Sequence, residues 1–265
     1  LPFVPTKETR SLPESDYSRI ETAAMQQAQA ALDAALNRVS VGNSERESPL
    51  TITTDIIIGH PQETILAEAD KWGADLIMLG SRGKSGIKRF LLGSVSSAVA
   101  TNATCSVEIA RTNATHPIKK SDLKILLPVD GSECSDAAVT AVVNRPWAQG
   151  TTVKIVSVAE PPKPLSVEVL TRSDNYFQEW EKLLEESART AIEKAAAQFS
   201  SSQLTVTTTV LKGQAGEAIL EEAENYGADL IVLGSRGLGG FERLLLGSVS
   251  QAVVTQARCS VQIVR

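Results

Sequence analysis

The chain has 265 residues, enough for one large or two ordinary domains, with 42% hydrophobic and 22% charged residues as in globular proteins. A net charge of −5 and a pI of about 5.3 argue against nucleic acid or an anionic membrane as the main partner. No apolar run approaches the ~20 residues of a membrane-spanning helix, and the opening Leu1-Pro2-Phe3-Val4-Pro5 has neither the basic nor the apolar region of a signal peptide.

In chain order, residues 1–39 match a proline-rich loop and long helix that recur from about residue 160 onward. Residues 73–111 align without a gap on residues 227–265, with 27 of 39 positions identical. That unit is much longer than a solenoid repeat, so a whole domain has been duplicated. The first copy, residues 1–111, contains nothing corresponding to residues 122–158. Two strands and a helix of that copy are therefore absent from this sequence, which also does not open on methionine. A doubly wound sheet does not easily lack its middle, so the expectation is a piece of a longer product. The other reading is a decayed repeat completed by a partner chain. Residues 112–121, polar with Pro117 and two lysines, form the linker.

The second copy, residues 122–265, reads as a complete alternation. Residues 123–129 form a strand ending at Asp130-Gly131-Ser132. A helix over 135–143 follows, then a valine-rich strand over 152–158 and a proline-rich loop over 160–164. The spacing of Phe177, Trp180, Leu184, Ala188, Ala191 and Ala195 predicts a long helix over 176–199. Residues 204–211 alternate like a strand. A short helix over 216–226 stops at Gly227. A buried strand over 229–233, a glycine loop, a helix over 248–256 and a strand over 260–264 complete the copy. Strands alternating with helices predict an α/β fold: tandem parallel sheets, each covered on both faces, the first incomplete.

The glycine loop carries the chemistry. Gly234-Ser235-Arg236-Gly237 is followed nine residues later by Gly247-Ser248, and Gly80-Ser81-Arg82-Gly83 by Gly93-Ser94. Glycines bare their backbone amides and tolerate positive φ. Ser248 sits where a helix N-cap belongs, and a helix N-terminus favours an anion. The arrangement points to phosphate binding. A bare strand-to-helix turn with no ligand is the weaker alternative. Gly83-Lys84-Ser85 is not a Walker motif, because Met78 stands where that motif needs glycine. His60 and His116 are isolated, so no zinc site is implied. Cys105 and Cys259 read as packed thiols and Cys134 as unactivated. The odd cysteine count points to reduced thiols in a cytosol. Trp72, Trp147, Trp180 and Phe177 read as core or rim packing. Asp130 fits either a plain helix N-cap or a ligand contact. Arg82 and Arg236 fit either phosphate contact or solvation, and solvation suits Lys84, Lys88, Arg89 and Arg243.

The pattern G-x2-G-x9-G-[S/T] after an aliphatic strand, found twice, with P-V-D-G-S after the first strand of the second copy, resembles the universal stress protein family. The resemblance implies a sheet of strand order 3-2-1-4-5 between helices, Rossmann-like, in a tandem form. It implies ATP, or another adenine nucleotide, at the carboxyl ends of the strands, with Asp130 the partner of the ribose or of a metal; Mg or Mn beside the phosphates is left open, and no further metal ligand is assigned. Carried over by position, Pro128, Val129 and Asp130 lie against the adenosine, and Val158 lines the adenine pocket with Leu233 opposite. Gly234, Gly237, Gly247, Ser248, Val249 and Ser250 wrap the ribose and phosphates. In the first copy Leu79, Gly80, Gly83, Gly93, Ser94, Val95 and Ser96 match the phosphate half alone. The resemblance also implies self-association through the last strand of each copy, as an internal pseudo-dimer or a homodimer. Those strands read as sheet edges that invite pairing. Relatives often place proline after the cysteine where this chain has Ser106 and Ser260, and that leaves the effect on pairing open. The function read from this is a nucleotide-binding stress or signalling protein without fast catalysis. Slow ATP hydrolysis or self-phosphorylation and a nucleotide-free dimerisation scaffold are the competing readings. No catalytic residue is assigned.

Overall fold

The computed structural model describes residues 14–44, 49–81, 92–111, 122–160, 174–238 and 246–265. The linker, Gly83, Arg82, Lys84, Lys88, Arg89, Arg243, His116 and the Phe177 side chain lie outside the described parts. The chain divides into two compact units between Lys71 and Trp72.

The first unit carries α1 (Glu14–Ser44) and most of α2 (Pro61–Trp72). Between them the Asn43 side chain grips Leu50 from both sides, donating to its carbonyl at 2.9 Å and accepting from its N–H at 2.6 Å. Residues 49–58 form no strand, although the text L-T-I-T-T-D-I-I-I of residues 50–58 parallels the strand-forming L-T-V-T-T-T-V-L-K of residues 204–212.

The second unit is built on one seven-stranded sheet of order β1-β2-β7-β6-β3-β4-β5. Its elements are β1 (Leu76–Gly80), α3 (Ser94–Asn102), β2 (Ser106–Ala110), β3 (Lys124–Pro128), α4 (Glu133–Asn144), β4 (Thr152–Ala159), α5 (Asp174–Ala197), β5 (Thr205–Lys212), α6 (Ala215–Tyr226), β6 (Leu230–Gly234), α7 (Ser248–Gln256) and β7 (Ser260–Val264). Every pairing is parallel except β2 with β7. The expected order 3-2-1-4-5 describes the five strands of residues 122–265, not the sheet, which fuses strands from both copies. The last strands are therefore not edges here. β7 lies between β6 and β2, and the edges are β1 and β5.

One face of the sheet is sealed by α4 and α5. Ile125, Leu127, Val129, Val153, Ile155, Leu230 and Val232 pack there against Val139, Val142, Ile192 and Phe199. Side-chain alternation then puts Pro128, Val158 and Leu233 on the opposite face. Among the described side chains of α5 the buried ones are Ala188, Ala191, Ile192 and Ala195, in the second half of the helix. Trp180 is 41% exposed and Trp72 77% exposed, so neither is a core tryptophan. Trp147 does pack under the core, donating Nε1–H to the Val142 carbonyl at 2.7 Å. Helix ends follow local chemistry. Gly227 closes α6 at φ +69 in the left-handed region. Ser132, not Asp130, caps α4 by accepting from the Ser135 N–H.

The β2–β7 join is held by two reciprocal arginines. Arg111, just past β2, donates to the carbonyls of Val254 at 2.6 Å and Cys259 at 3.4 Å. Arg265, just past β7, donates to the carbonyls of Ala100 at 2.6 Å and Cys105 at 3.2 Å. Each cation thus sits at the C-terminal end of the other copy's helix, α7 or α3, where orphan carbonyls and the helix dipole favour it. The backbone N–H of each arginine donates to Ser260 Oγ or Ser106 Oγ. Serine in place of the family's proline therefore supplies an acceptor to the join.

Candidate functional site

The carboxyl ends of β3, β4 and β6 form the candidate site. Pro128 ends β3 and is buried, and Val129 is buried on the α4/α5 face with its N–H donating to the Val156 carbonyl at 2.8 Å. Val158 on β4 is half-buried, Leu233 on β6 is buried, and both share the α6/α7 face with Pro128. The three aliphatic side chains stand on neighbouring strands, so the structure brings them together as one apolar wall. Val129 points away from that wall.

Asp130 is the hub. Its Oδ1 accepts from the Ser132 N–H at 3.0 Å and the Ser132 hydroxyl at 2.6 Å. Its Oδ2 accepts from the Leu238 N–H at 3.0 Å. The same Ser132 hydroxyl lies 3.4 Å from the Arg236 carbonyl. The carboxylate therefore ties the turn after β3 to the glycine loop after β6. A carboxylate offers about four acceptor sites, so roughly one stays open for a ligand or a cation. Ser132 and the Leu238 amide are site residues that spacing alone did not reveal. The sequence signals for Ser132 were its place as the last residue of P-V-D-G-S and its cap-forming type three residues before Ser135.

The glycine loop is framed by its own backbone. Ser235 N–H donates to the Val264 carbonyl at 2.8 Å, Gly247 N–H to the Ser235 carbonyl at 2.8 Å, and the Ser250 hydroxyl to the Gly234 carbonyl at 2.8 Å. The first copy repeats each bond: Ser81 to Ala110 at 3.0 Å, Gly93 to Ser81 at 2.8 Å, and the Ser96 hydroxyl to Gly80 at 2.8 Å. Ser250 and Ser96 are thus buried struts whose hydroxyls hold the loop's base. The N-cap residues of α7 and α3 are Gly247 and Gly93, which puts Ser248 and Ser94 at the first helical position with exposed side chains. This corrects the expectation that Ser248 caps the helix. Val249 and Val95 are half-buried in the first helical turns, and Leu79 is half-buried on β1.

The glycines are needed for a different reason than expected. Gly234, Gly237 and Gly247 are not among the positive-φ residues. At Gly234 and Gly237 the requirement is room. A Cβ at Gly234 would lie 2.5 Å from the Cys134 carbonyl carbon and 2.6 Å from its oxygen, and one at Gly237 would run into Asp130 Oδ2. At Gly247 the nearest atoms, in the Arg236 and Ser235 backbone, would be 3.4 Å away. Gly234 lets α4 close onto β6, and Gly237 lets the loop reach Asp130.

The three cysteines are free. Burial pushes the Cys259 thiol up to about 11, which makes it an inert packed group. Cys134 is half-buried beside the loop, with its sulfur 3.7 Å from the Ser235 hydroxyl. His60 is exposed and contributes its carbonyl to the start of α2. Among the described residues no three His, Cys, Asp or Glu side chains converge on a metal position, and no helix is long and apolar enough to cross a membrane.

A mostly parallel sheet with one glycine loop after β6 and its repeat after β1 defines a tandem Rossmann-like protein. The sequence pattern of the Universal stress protein family matches residues 3–111 and 123–265, and the chain belongs to that family. It is 32% identical over 142 residues to a universal stress protein of Methanocaldococcus jannaschii, spanning 54% of this chain and 81% of that one. A universal stress protein of Mycobacterium bovis is 27% identical over 217 residues, spanning 82% of this chain and 70% of its own. The crystal structure of a universal stress protein from Archaeoglobus fulgidus shares the fold over 93% of this chain and 79% of its own, at a TM-score of 0.58 and 21% identity.

Proposed function

We propose that residues 122–265 bind an adenine nucleotide, ATP first among them, and that this binding serves a stress or signalling role without fast catalysis. The adenine stacks on the wall of Pro128, Val158 and Leu233. The ribose approaches Asp130, and the phosphates lie on amides of the turn after Ser235 and on the start of α7 at Ser248 and Val249, since the Ser235 and Gly247 N–H groups are taken by the Val264 and Ser235 carbonyls. A helix N-terminus and bare amides together favour an anion there. Mg or Mn would take the acceptor site left on Asp130 and phosphate oxygens, as such ions usually do with one or two carboxylates.

One observation carries the reading. The loop is braced from below by Ser250, Ser235 and Asp130, and at Gly234 and Gly237 a Cβ would collide with that frame. Such bracing fixes the described ends of the loop before a ligand arrives, so little further ordering accompanies binding there. The first copy keeps the serine bonds of that brace, from Ser81 and Ser96, but in this sequence it has no counterpart of Asp130, so its phosphate half stands without an adenosine half. Three free cysteines fit a cytosolic location.

Native mass spectrometry of the purified chain, followed by calorimetric titration with ATP, ADP, AMP and cyclic AMP, tests the proposal. One nucleotide per chain is expected, with affinity lost in Asp130→Ala. A chain that carries and binds none of the four refutes it. Any ATP turnover should disappear in the same variant; turnover unchanged by it belongs to a contaminant.

A further inference from the structure

A second carboxylate stands at the carboxyl ends of the strands, on the side away from the glycine loop. Glu160 comes one residue past β4 and two past Val158, so side-chain alternation puts it on the same face of the sheet as Val158. Its Oε2 accepts from the Ala215 N–H, the first amide of α6, at 3.1 Å. Gln214 holds the N-cap position of that helix but makes no side-chain cap bond, so the cap comes from Glu160, 55 positions earlier. The first turn of α6 in turn lies close against α7: a Cβ at Gly216 would stand 3.3 Å from the Ala252 Cβ. Glu160 is half-buried, and among the described residues its Oε1 has no partner.

Strand order gives the two carboxylates of the site different tasks. β6, β3 and β4 are consecutive in the sheet, and Leu233, Pro128 and Val158 stand on them in that order. The glycine loop follows β6, Asp130 follows β3 and Glu160 follows β4. A nucleotide with its phosphates at the loop and its ribose at Asp130 therefore carries its base toward β4 and the start of α6. Glu160 already supplies the anion that the α6 N-terminus favours, so that end turns a phosphate away and the start of α7 keeps the attraction. What Glu160 Oε1 presents to a ligand is an acceptor. Adenine has a matching donor, its exocyclic 6-amino group. We propose that Glu160 is the residue that selects the base: Oε1 accepts from the 6-amino group of adenine while Oε2 holds the first turn of α6 in place. The inference rests on the nucleotide reading of residues 122–265 and adds to it a reason for adenine.

Calorimetric titration of the full chain with ATP and with purine riboside 5′-triphosphate tests the proposal. The second ligand has hydrogen where adenine carries its amino group and is otherwise the same. The parent is expected to bind ATP about tenfold or more tightly, because a site built to accept a hydrogen bond rejects the analogue that lacks the donor. In Glu160→Gln the Ala215 N–H still needs an acceptor, so the amide turns its oxygen there and its NH2 toward the base. ATP affinity should then fall about tenfold or more, while the purine riboside triphosphate stays within about threefold of its parent value. A Glu160 that only capped α6 would affect both ligands alike, so the ratio separates base selection from a structural role. Should Glu160→Gln fail to fold, Glu160→Asp takes its place: one methylene shorter, it cannot span α6 and the base together, and the preference for ATP should be lost in the same way. Equal affinities in the parent, or a ratio that the substitution leaves unchanged, overturn the inference while nucleotide binding stands. A parent that binds neither ligand overturns the nucleotide reading and this inference with it.

Discussion

Replacing Gly237 by alanine isolates the contact on which the candidate site turns. The new Cβ would overlap Asp130 Oδ2, so the carboxylate must retreat by about 1 Å to reach ordinary van der Waals contact. That retreat stretches the bond from the Leu238 N–H, now 3.0 Å, beyond hydrogen-bonding range. Hydrogen bonds to charged groups contribute about 1.5–3 kcal/mol, and less where water reaches them, so a loss of ~1–2 kcal/mol in stability is expected. Denaturant unfolding of the full chain measures it, beside Asp130→Ala and the double variant. With the carboxylate gone the overlap is gone too, so Gly237→Ala should cost less than ~0.3 kcal/mol in the Asp130→Ala background. Nucleotide affinity should fall about tenfold in Gly237→Ala, because the loop loses its brace. Strictly additive stabilities, or an unchanged affinity, would refute the assignment of Asp130 as the residue that holds the loop.

Other substitutions probe the same frame. Gly234→Ala pushes against backbone atoms of Cys134 that cannot rotate away, and a loss of ~2–3 kcal/mol or failure to fold is expected in thermal unfolding. Arg111→Met and Arg265→Met each strip a helix C-terminus of its cation and should cost about 1–3 kcal/mol. Arg111→Lys should not restore the loss, since an ammonium lacks the planar fork that spans two carbonyls. The Cys259 thiol goes from its ordinary 9.0 up to about 11 on folding. The folded chain holds that proton more tightly than the unfolded chain, so the contribution is intact below pH 9 and is lost as pH rises through 11, by at most ~2–3 kcal/mol. Unfolding midpoints at about pH 8 and about pH 10.5 should therefore converge less in the parent than in Cys259→Ala, where that term is absent.

Much of this protein was legible before any coordinates. The duplication, the α/β alternation and the position of each strand of residues 122–265 followed from periodicity, because a strand buried on both faces must be a continuous aliphatic run and a helix must repeat its apolar side. The glycine loop was legible for the same reason: only one residue type lacks a Cβ. What the glycines make room for was not legible. That Gly237 faces Asp130 across 107 positions, and that Ser132 bridges both, depends on which loops the sheet order sets side by side.

Pairing lay further out of reach. The two nine-residue texts at 50–58 and 204–212 agree at four of nine positions and match aliphatic for aliphatic at three more, yet the second contains β5 and the first is no strand. Each residue of β5 lies opposite a residue of β4, and a strand satisfies its backbone only through a neighbour. Likewise the sequence marked the last strand of each copy as an edge, and the fold placed the two edges together, with Glu108, Gln262 and Arg145, from the end of a distant helix, meeting there. Local sequence set what each segment prefers. Which segments became neighbours, and therefore which buried charges and amides found partners, was decided by the sheet as a whole.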